Sequence, residues 1–170
     1  MLTPKTLKNL KKEIIKMKLY VIATFFFMSM ILISCDKSII YVENQSIPES
    51  GWKKESKLSF TADINDTIHP LNIYLNVRNK GNYAYSNLYL FLNTIFPNGE
   101  VSRDTLEVFL ADPKGKWIGN GIGDIKSLEL LFIKNVRFVK TGKYTFEFEQ
   151  AMREDELKGI NELGIKIEKP

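Results

Sequence analysis

The sequence predicts a mainly β protein: an antiparallel two-sheet β-sandwich, jelly-roll-like or immunoglobulin-like, that follows an N-terminal export signal. After residue 56, apolar and polar residues alternate with a period of two along several short runs, and turn residues separate these runs. Each alternating strand has one apolar face that must be buried against another layer. About seven short strands at roughly regular spacing suit two packed sheets. A chain of 170 residues, 44% of them apolar and 26% charged, is sufficient for one domain with its own core.

The first 34 residues have the pattern of a secretory signal. Lysines precede an apolar run at residues 19–33, which is too short for a comfortable membrane span and typical of a signal h-region. Met17 opens a more compact leader, so it is a second candidate for the translation start. Removing residues 1–34 changes the formal charge from +4 (24 bases, 20 acids) to −1 (18 bases, 19 acids). Because the remaining bases are scattered among acids, nucleic acid is not expected as a partner.

The tetrapeptide Leu32-Ile33-Ser34-Cys35 meets the requirements of a lipobox. It places an apolar residue three positions before a cysteine, small or aliphatic residues between them, and a thiol that can receive diacylglycerol. We therefore expect Cys35 to be acylated and the membrane to be its first partner. Each buried methylene contributes about 0.8 kcal/mol, so two or three acyl chains hold a domain on a membrane. The alternative is a transmembrane anchor followed by a buried structural cysteine; Cys35 is the only cysteine, which leaves no internal disulfide.

These features divide the chain into three parts. Residues 1–34 are the predicted signal peptide, residues 35–50 the lipidated cysteine and a stalk, and residues 51–170 the β-sandwich domain. The stalk is predicted because residues 36–50 contain Asn, Gln, Ser and Pro and few core-sized side chains. The apolar run at residues 39–42 leaves a first strand as the alternative.

Alternation and turn residues predict the strands in order. The clearest is the run at residues 71–78, where every second residue is apolar. The run at residues 88–96 is apolar on both faces, which predicts a central strand. One short helix is predicted at residues 154–163, although Gly159 weakens it. The remaining strands are predicted at residues 58–64, 106–110, 128–133, 144–149 and 164–168.

Residues that support hydrolytic catalysis are scarce in the mature chain. Such catalysis usually needs a His beside a nucleophile or a metal, and His69, in a predicted loop, is the only histidine. With Cys35 acylated there is no free thiol, and no Cys/His spacing for zinc exists. Carboxylates can also work in pairs; the candidates, which we expect to cap turns or strand ends, are Asp66, Asp104, Asp112 and Asp124. We therefore predict no catalytic residues, no metal site, no cofactor and no enzymatic activity.

The segment at residues 112–124 is the candidate for contact with a partner. It contains four glycines and Trp117 between two predicted strands. Gly119 and Gly121 are spaced as in a dinucleotide-binding loop, but the strand–helix context and the further glycines are missing. Trp117 is either a core anchor, for which the glycines make room, or an exposed hot spot beside accessible backbone. Two alternatives also exist for the aromatic cluster of Tyr83, Tyr85 and Tyr89. These side chains either pack across strands or line a sugar-binding face.

Several phrases of the sequence, taken together, resemble the gliding-motility lipoprotein GldH family of the Bacteroidetes. The resemblance extends from the lipobox to the C-terminus, and the extension before Met17 is the main departure. It rests on residues 85–91 (YSNLYLF), 104–107 (DTLE), 110–124 (LADPKGKWIGNGIGD), 150–153 (QAMR), 157–160 (LKGI) and 163–167 (LGIKI).

The resemblance implies a non-enzymatic lipoprotein of the cell envelope that is required for gliding and, through shared parts, for the type IX secretion apparatus. Its implied partners are other gliding or secretion proteins of the envelope. The family has no assigned catalytic residues, so only Cys35 is carried over, as the acylated residue. A glycan-binding lipoprotein, on the surface or in the periplasm, is the alternative. The residues after Cys35 lack the acidic run that resembles surface-export tags, so we expect an outer-membrane anchor with the domain facing the periplasm.

Overall fold

The computed structural model describes residues 13–21 and 38–170. The chain divides into two compact units, Met1–Asp36 and Lys37–Pro170. In the first unit, residues 13–21 form a helix. Cys35, its lipobox and the predicted h-region from residue 22 onward lie outside the described residues. Within the described ranges, no helix has both the length and the apolarity needed to cross a membrane.

The second unit is built from β-strands. Two short ones, β2 (Trp52–Lys53) and β9 (Glu156–Leu157), pair with each other as a small ladder. The eight longer strands in the described residues are β1 (Ile39–Ser46), β3 (Leu58–Ile64), β4 (Leu71–Lys80), β5 (Asn87–Ile95), β6 (Val101–Phe109), β7 (Ile125–Val136), β8 (Gly142–Gln150) and β10 (Ile160–Glu168).

The longer strands form two four-stranded sheets. One sheet has the order β1-β10-β4-β7 and the other the order β3-β8-β5-β6, and every pairing is antiparallel. β4 and β5 are interior strands, which agrees with the clear alternation at residues 71–78 and the central position predicted for residues 88–96. The predicted antiparallel β-sandwich is confirmed.

Side chains from both sheets bury the same core. Alternate residues of β4 are buried, and on β8 the predicted inward residues Tyr144, Phe146 and Phe148 are at most 3% exposed. Phe60 of β3 meets Phe148 edge-on, with ring centroids 5.9 Å apart. Burying an apolar side chain of this size contributes about 1.5–3 kcal/mol. The period-two pattern therefore reports which face of each strand is turned toward the other sheet.

Because successive strands run in opposite directions, the connecting segments collect at two ends of the sandwich. We call the end at which the chain enters, at Ser38, the entry end, and the opposite one the far end. The entry end also holds the C-terminal residues and the connections at residues 65–70, 96–100 and 137–141. The far end holds the connections at residues 47–57, 81–86, 110–124 and 151–159.

The prediction of a short helix at residues 154–163 is wrong. This segment contains β9 and the start of β10, so the strand predicted at residues 164–168 begins earlier, at Ile160. Gly159 adopts a positive φ of 88°, which interrupts a helix. β10 has hydrogen-bonded neighbours on both edges, β1 and β4. Long-range pairing of this kind overrides a weak local preference for helix.

The predicted stalk at residues 35–50 is corrected where the structure describes it. Residues 39–46 form β1, which pairs with β10, so the alternative of a first strand is the one observed. Three of the polar residues that suggested a stalk, Asn44, Gln45 and Ser46, lie on this edge strand, whose side chains are largely exposed. One of them, Gln45, donates from Nε2 to the backbone carbonyl of Ser59 at 2.8 Å, which links β1 to β3. The sandwich therefore includes residues well before residue 51.

Candidate docking site

The connection at residues 110–124 joins β6 to β7 at the far end and begins with a tight turn. The carboxylate of Asp112 holds this turn, because its Oδ1 accepts hydrogen bonds from the backbone N–H groups of Lys114 (2.8 Å) and Lys116 (2.9 Å). Gly115 has a φ of 80°, a left-handed conformation that glycine adopts without strain. The turn is therefore ordered by its own residues.

Trp117 follows this turn and is half-buried. Its backbone pairs with Ala111, and its indole packs against the core, with the ring centroid 6.5 Å from that of Tyr83. Tyr83 is 5% exposed, and its hydroxyl donates to the carbonyl oxygen of Asn87 at 3.0 Å. Trp117 is therefore neither a fully buried core anchor nor a fully exposed hot spot. Its ring packs against the core and holds the loop there, and part of the ring stays accessible.

Gly119 and Gly121 lie against the first residues of β7. Between them, Asn120 exchanges two backbone hydrogen bonds with Ser127, at 3.0 and 2.8 Å. A Cβ atom on Gly119 would lie 2.9 Å from the carbonyl oxygen of Ser127, and one on Gly121 would overlap the carbonyl oxygen of Ile125. The absence of side chains here allows the loop backbone to pack on the edge of β7.

Three apolar side chains of the loop and of the strand before it are exposed. Phe109, Ile118 and Ile122 have 59%, 47% and 101% of their surface accessible. A shallow cavity of about 390 Å³ has Phe109, Pro113 and Ile118 in its lining. We call Phe109, Pro113, Ile118 and Ile122 the far-end apolar surface. The sequence analysis did not identify these residues as a contact surface. A signal was present, because Ile118 and Ile122 lie in a glycine-rich segment between two strands, where neither strand can bury them.

The three tyrosines do not form one exposed face. Tyr83 is buried, and burial raises its pKa. Tyr85 meets Tyr83 edge-on at 5.7 Å between centroids, and its hydroxyl donates to Glu154 at 2.7 Å, a hydrogen bond that raises the pKa of Tyr85. Of the three, Tyr89 on β5 is the most exposed, at 38%. This arrangement provides no shared platform on which a sugar ring can stack.

His69 is exposed in the connection at residues 65–70, as the sequence predicts. Its Nδ1 lies 2.8 Å from Oδ2 of Asp66, whose Oδ1 also accepts the backbone N–H groups of His69 and Ile68. These hydrogen bonds, chiefly those from His69, lower the pKa of Asp66 to about 2. The pair therefore orders a surface turn.

Two of the remaining carboxylates also bind backbone N–H groups. Asp112 holds the turn described above, and Oδ1 of Asp124 accepts the N–H of Gly81 at 3.2 Å. Asp104 differs, because it lies within β6 and accepts a hydrogen bond from Ser102 at 3.4 Å. Among the residues that the structure describes, no group of three or more His, Cys, Asp and Glu side chains has the arrangement of a metal site.

Solved structures show distant likenesses. A family GH115 4-O-methyl-α-glucuronidase with specificity for decorated arabinogalactans aligns with a TM-score of 0.42 and 11% identity, over 80% of this chain and 18% of that enzyme. The Yersinia pseudotuberculosis-derived mitogen aligns with a TM-score of 0.36 and 6% identity, over 78% of this chain and 88% of the mitogen. Likeness at this level supports no functional statement.

Sequence relatives are much more similar. Residues 39–167 match the family described as GldH lipoprotein. A protein of Christiangramia forsetii named gliding motility lipoprotein GldH homolog is 40% identical over 152 residues, which cover 85% of this chain and 93% of the relative. The gliding motility lipoprotein GldH of Flavobacterium johnsoniae is 35% identical over 147 residues, which cover 82% of this chain and 91% of the relative. With the resemblance of the sequence thus confirmed, the chain belongs to the GldH lipoprotein family.

Proposed function

We propose that this protein takes part in gliding motility, and in the associated type IX secretion machinery, as a non-enzymatic assembly or stabilising component. It is anchored in the outer membrane through acyl chains on Cys35 and faces the periplasm. The names of its relatives support the link to gliding, and the lipobox supports the anchor. Its partners are then other envelope proteins of the gliding or secretion machinery.

The observation that carries this proposal is the far-end apolar surface. Its exposed side chains belong to a segment that is held in place by Trp117 against the core and by Asp124 against Gly81. Exposed apolar residues on an ordered loop contribute little to folding, and their fixed position lowers the entropic cost of binding a partner.

The residues that the sequence selected are part of the same surface in this proposal. Trp117 contributes the accessible part of its ring, and the backbone at Gly119 and Gly121 supports the two isoleucines that flank it. A surface of this kind suits contact with another protein, because large apolar side chains at the centre of an interface supply most of its binding energy.

Complementation of a deletion strain tests the proposal. Ile118→Asp combined with Ile122→Asp places two carboxylates on the far-end apolar surface without changing a core side chain. We expect this double variant to be acylated and present at normal abundance but to restore neither colony spreading nor secretion of a type IX cargo protein. Cross-linking in cells followed by pull-down should recover envelope partners with the wild type and lose them with the double variant.

Val42→Asp is the matched control, because Val42 is an exposed apolar residue (53%) on β1, outside the far end. This variant should restore spreading and secretion and retain the cross-linked partners. Full restoration by the double variant at normal abundance would contradict the docking role of the far-end apolar surface.

A further inference from the structure

Two neighbouring loops at the entry end carry exposed apolar side chains. The loops at residues 65–70 and 137–141 each cross from one sheet to the other. Ile68 is 76% exposed in the first loop, and Val139 is 89% exposed in the second. The residues that flank these loops are strand partners, Ile64 with Gly142 and Leu71 with Val136. The two loops therefore start and end next to each other, and both apolar residues are exposed at the same end of the sandwich.

Basic residues accompany Val139. The sequence from residue 134 to 143 contains four bases and no acid. Three of these bases are exposed and form no ion pair with another described residue: Lys134, Arg137 and Lys140. The fourth, Lys143, stands opposite Asp63 in the pairing of β3 with β8. The positive charge is therefore local to residues 134–143, since the same end also carries acids, among them Asp66 and Glu100.

An apolar cavity of about 400 Å³ lies at the same end. Phe96, Pro97, Phe138 and Val139 are among its lining residues, and its charged lining residues are the bases Arg137 and Lys140 and the acids Glu100 and Asp104. The entry end thus presents an apolar area that has basic side chains on the side of residues 134–143 and the acids Glu100 and Asp104 on the side of residues 96–104. Proteins bind to the interface of a lipid bilayer through this combination of buried apolar groups and attraction to anionic headgroups.

The proposed covalent anchor, Cys35, is close in sequence to the entry end. Cys35 precedes Ser38 by three residues, so an extended chain of at most about 11 Å separates the two. The carbonyl oxygen of Ser38 accepts a hydrogen bond from the backbone N–H of Lys169 at 2.9 Å, which holds the start of the domain against its last strand. Since β1 begins at Ile39, the tether is short, and a lipid on Cys35 would be held near the entry end.

From these observations we infer that the entry end is a lipid-binding face. Ile68 and Val139 insert into the surface of the membrane that holds the anchor, and Lys134, Arg137 and Lys140 contact anionic headgroups. The inference rests on the proposed acylation of Cys35. It goes beyond the proposed function because it gives the sandwich one orientation relative to the membrane. The far-end apolar surface then points away from the membrane, toward a protein partner.

An extended peptide is the other occupant that an apolar cavity of this kind accepts. The lipid surface is favoured for two reasons. The short tether keeps a lipid on Cys35 near this end, and two of the bases, Arg137 and Lys140, lie in the same loop as Val139, which is 89% exposed.

Site-directed fluorescence of the acylated protein tests the orientation. Because Cys35 is the only natural cysteine and acylation consumes its thiol, one introduced cysteine carries the only label. Ile68→Cys and Val139→Cys report the entry end, and Ile122→Cys, fully exposed at the far end, is the matched control. Each protein is labelled with an environment-sensitive nitrobenzoxadiazole dye and reconstituted into vesicles of phosphatidylethanolamine and phosphatidylglycerol, with or without brominated acyl chains.

We expect a blue shift of emission and quenching by brominated lipid at positions 68 and 139, and neither at position 122. Arg137→Glu with Lys140→Glu should reduce the quenching at position 68, whereas Lys114→Glu with Lys116→Glu, at the far end, should leave it unchanged. Replacing the anionic lipid with phosphatidylcholine should also reduce the quenching in the protein with native charges.

An acylated protein with unquenched labels at positions 68 and 139 would overturn the inference and leave the proposed function standing. A blue shift without quenching would indicate a peptide in the cavity and would also overturn it. The intact mass of the purified protein reports acylation separately. A protein without acyl chains would overturn both the anchor and the inference that rests on it.

Discussion

The indole ring of Trp117 lies 6.5 Å, between centroids, from the ring of Tyr83, which is itself buried. Tyr83 in turn meets Tyr85 edge-on at 5.7 Å. The three rings join a surface loop of the far end to the hydrophobic core and to the connection that precedes β5. Loop conformation and domain stability are therefore coupled at Trp117.

Trp117→Ala should lower the free energy of unfolding by about 2 kcal/mol, since truncating a fully buried Trp costs about 3–5 kcal/mol and this ring is half-buried. Trp117→Phe should lose less, because it keeps a ring next to Tyr83. Denaturant unfolding of residues 38–170 measures both variants. An unchanged midpoint for Trp117→Ala would show that the ring does not support the core.

Gly121→Ala should destabilise the domain by about 1–3 kcal/mol, the usual cost of forcing an atom into packed structure. The added Cβ would overlap the carbonyl oxygen of Ile125, so the loop must move away from β7. Gly99→Ala is the control: it has open space around it, and its φ of 83° predicts a strain of about 1–2 kcal/mol without a clash. NMR chemical shifts of the backbone amides in β7 measure this movement. Comparable changes in these shifts for both variants would argue against a close approach between Gly121 and the carbonyl oxygen of Ile125.

A fragment of residues 38–170 should fold to a soluble β-rich monomer, whereas residues 51–170 should not. The shorter fragment lacks β1, which pairs with β10 from Ile39 to Ser46. Its removal exposes the edge of β10 and with it a strand that aggregates easily. Circular dichroism and size-exclusion chromatography distinguish the two fragments. Equal melting temperatures would show that β1 adds nothing to the domain.

The depressed pKa of Asp66, about 2, predicts a contribution to stability that is present above pH 3.8 and is lost as the pH falls through about 2. Asp66→Asn should remove this part of the acid dependence. His69→Ala should raise the pKa of Asp66 toward its ordinary value, because it removes one of the hydrogen bonds that lower it. A carboxyl titration by NMR measures both effects, and an Asp66 midpoint near 3.8 in the wild type would refute them.

Cys35→Ala should abolish acylation and leave a precursor that keeps its signal peptide, because the lipoprotein peptidase requires the lipid-modified cysteine. Metabolic labelling with a fatty acid measures the modification. Ser34→Ala, which keeps a small residue in the lipobox, should be labelled normally. Label retained on Cys35→Ala would mean that the lipobox was misread.

The strands were predictable where a strand has one face in the core. On β4 and β8 the buried apolar side chains fall at every second position, and this period is visible in the sequence because it is a local consequence of the pleated backbone. β1 and the start of β10 were less predictable. β1 is an exposed edge strand with polar side chains, and the first residues of β10 follow Gly159 in a segment with some helix preference. Their structure depends on pairing partners far away in the chain.

By itself the sequence determined the fold class, the family resemblance and the prediction of a lipid anchor at Cys35, because alternation, short phrases and the lipobox are all local patterns. Only the tertiary structure decided that Trp117 is half-buried and that residues 65–70 and 137–141 lie together at the end where the chain enters. In an antiparallel sandwich, loop neighbours and side-chain depth are set by strand pairing and sheet packing. These contacts join residues that are distant in sequence, and no local pattern encodes them.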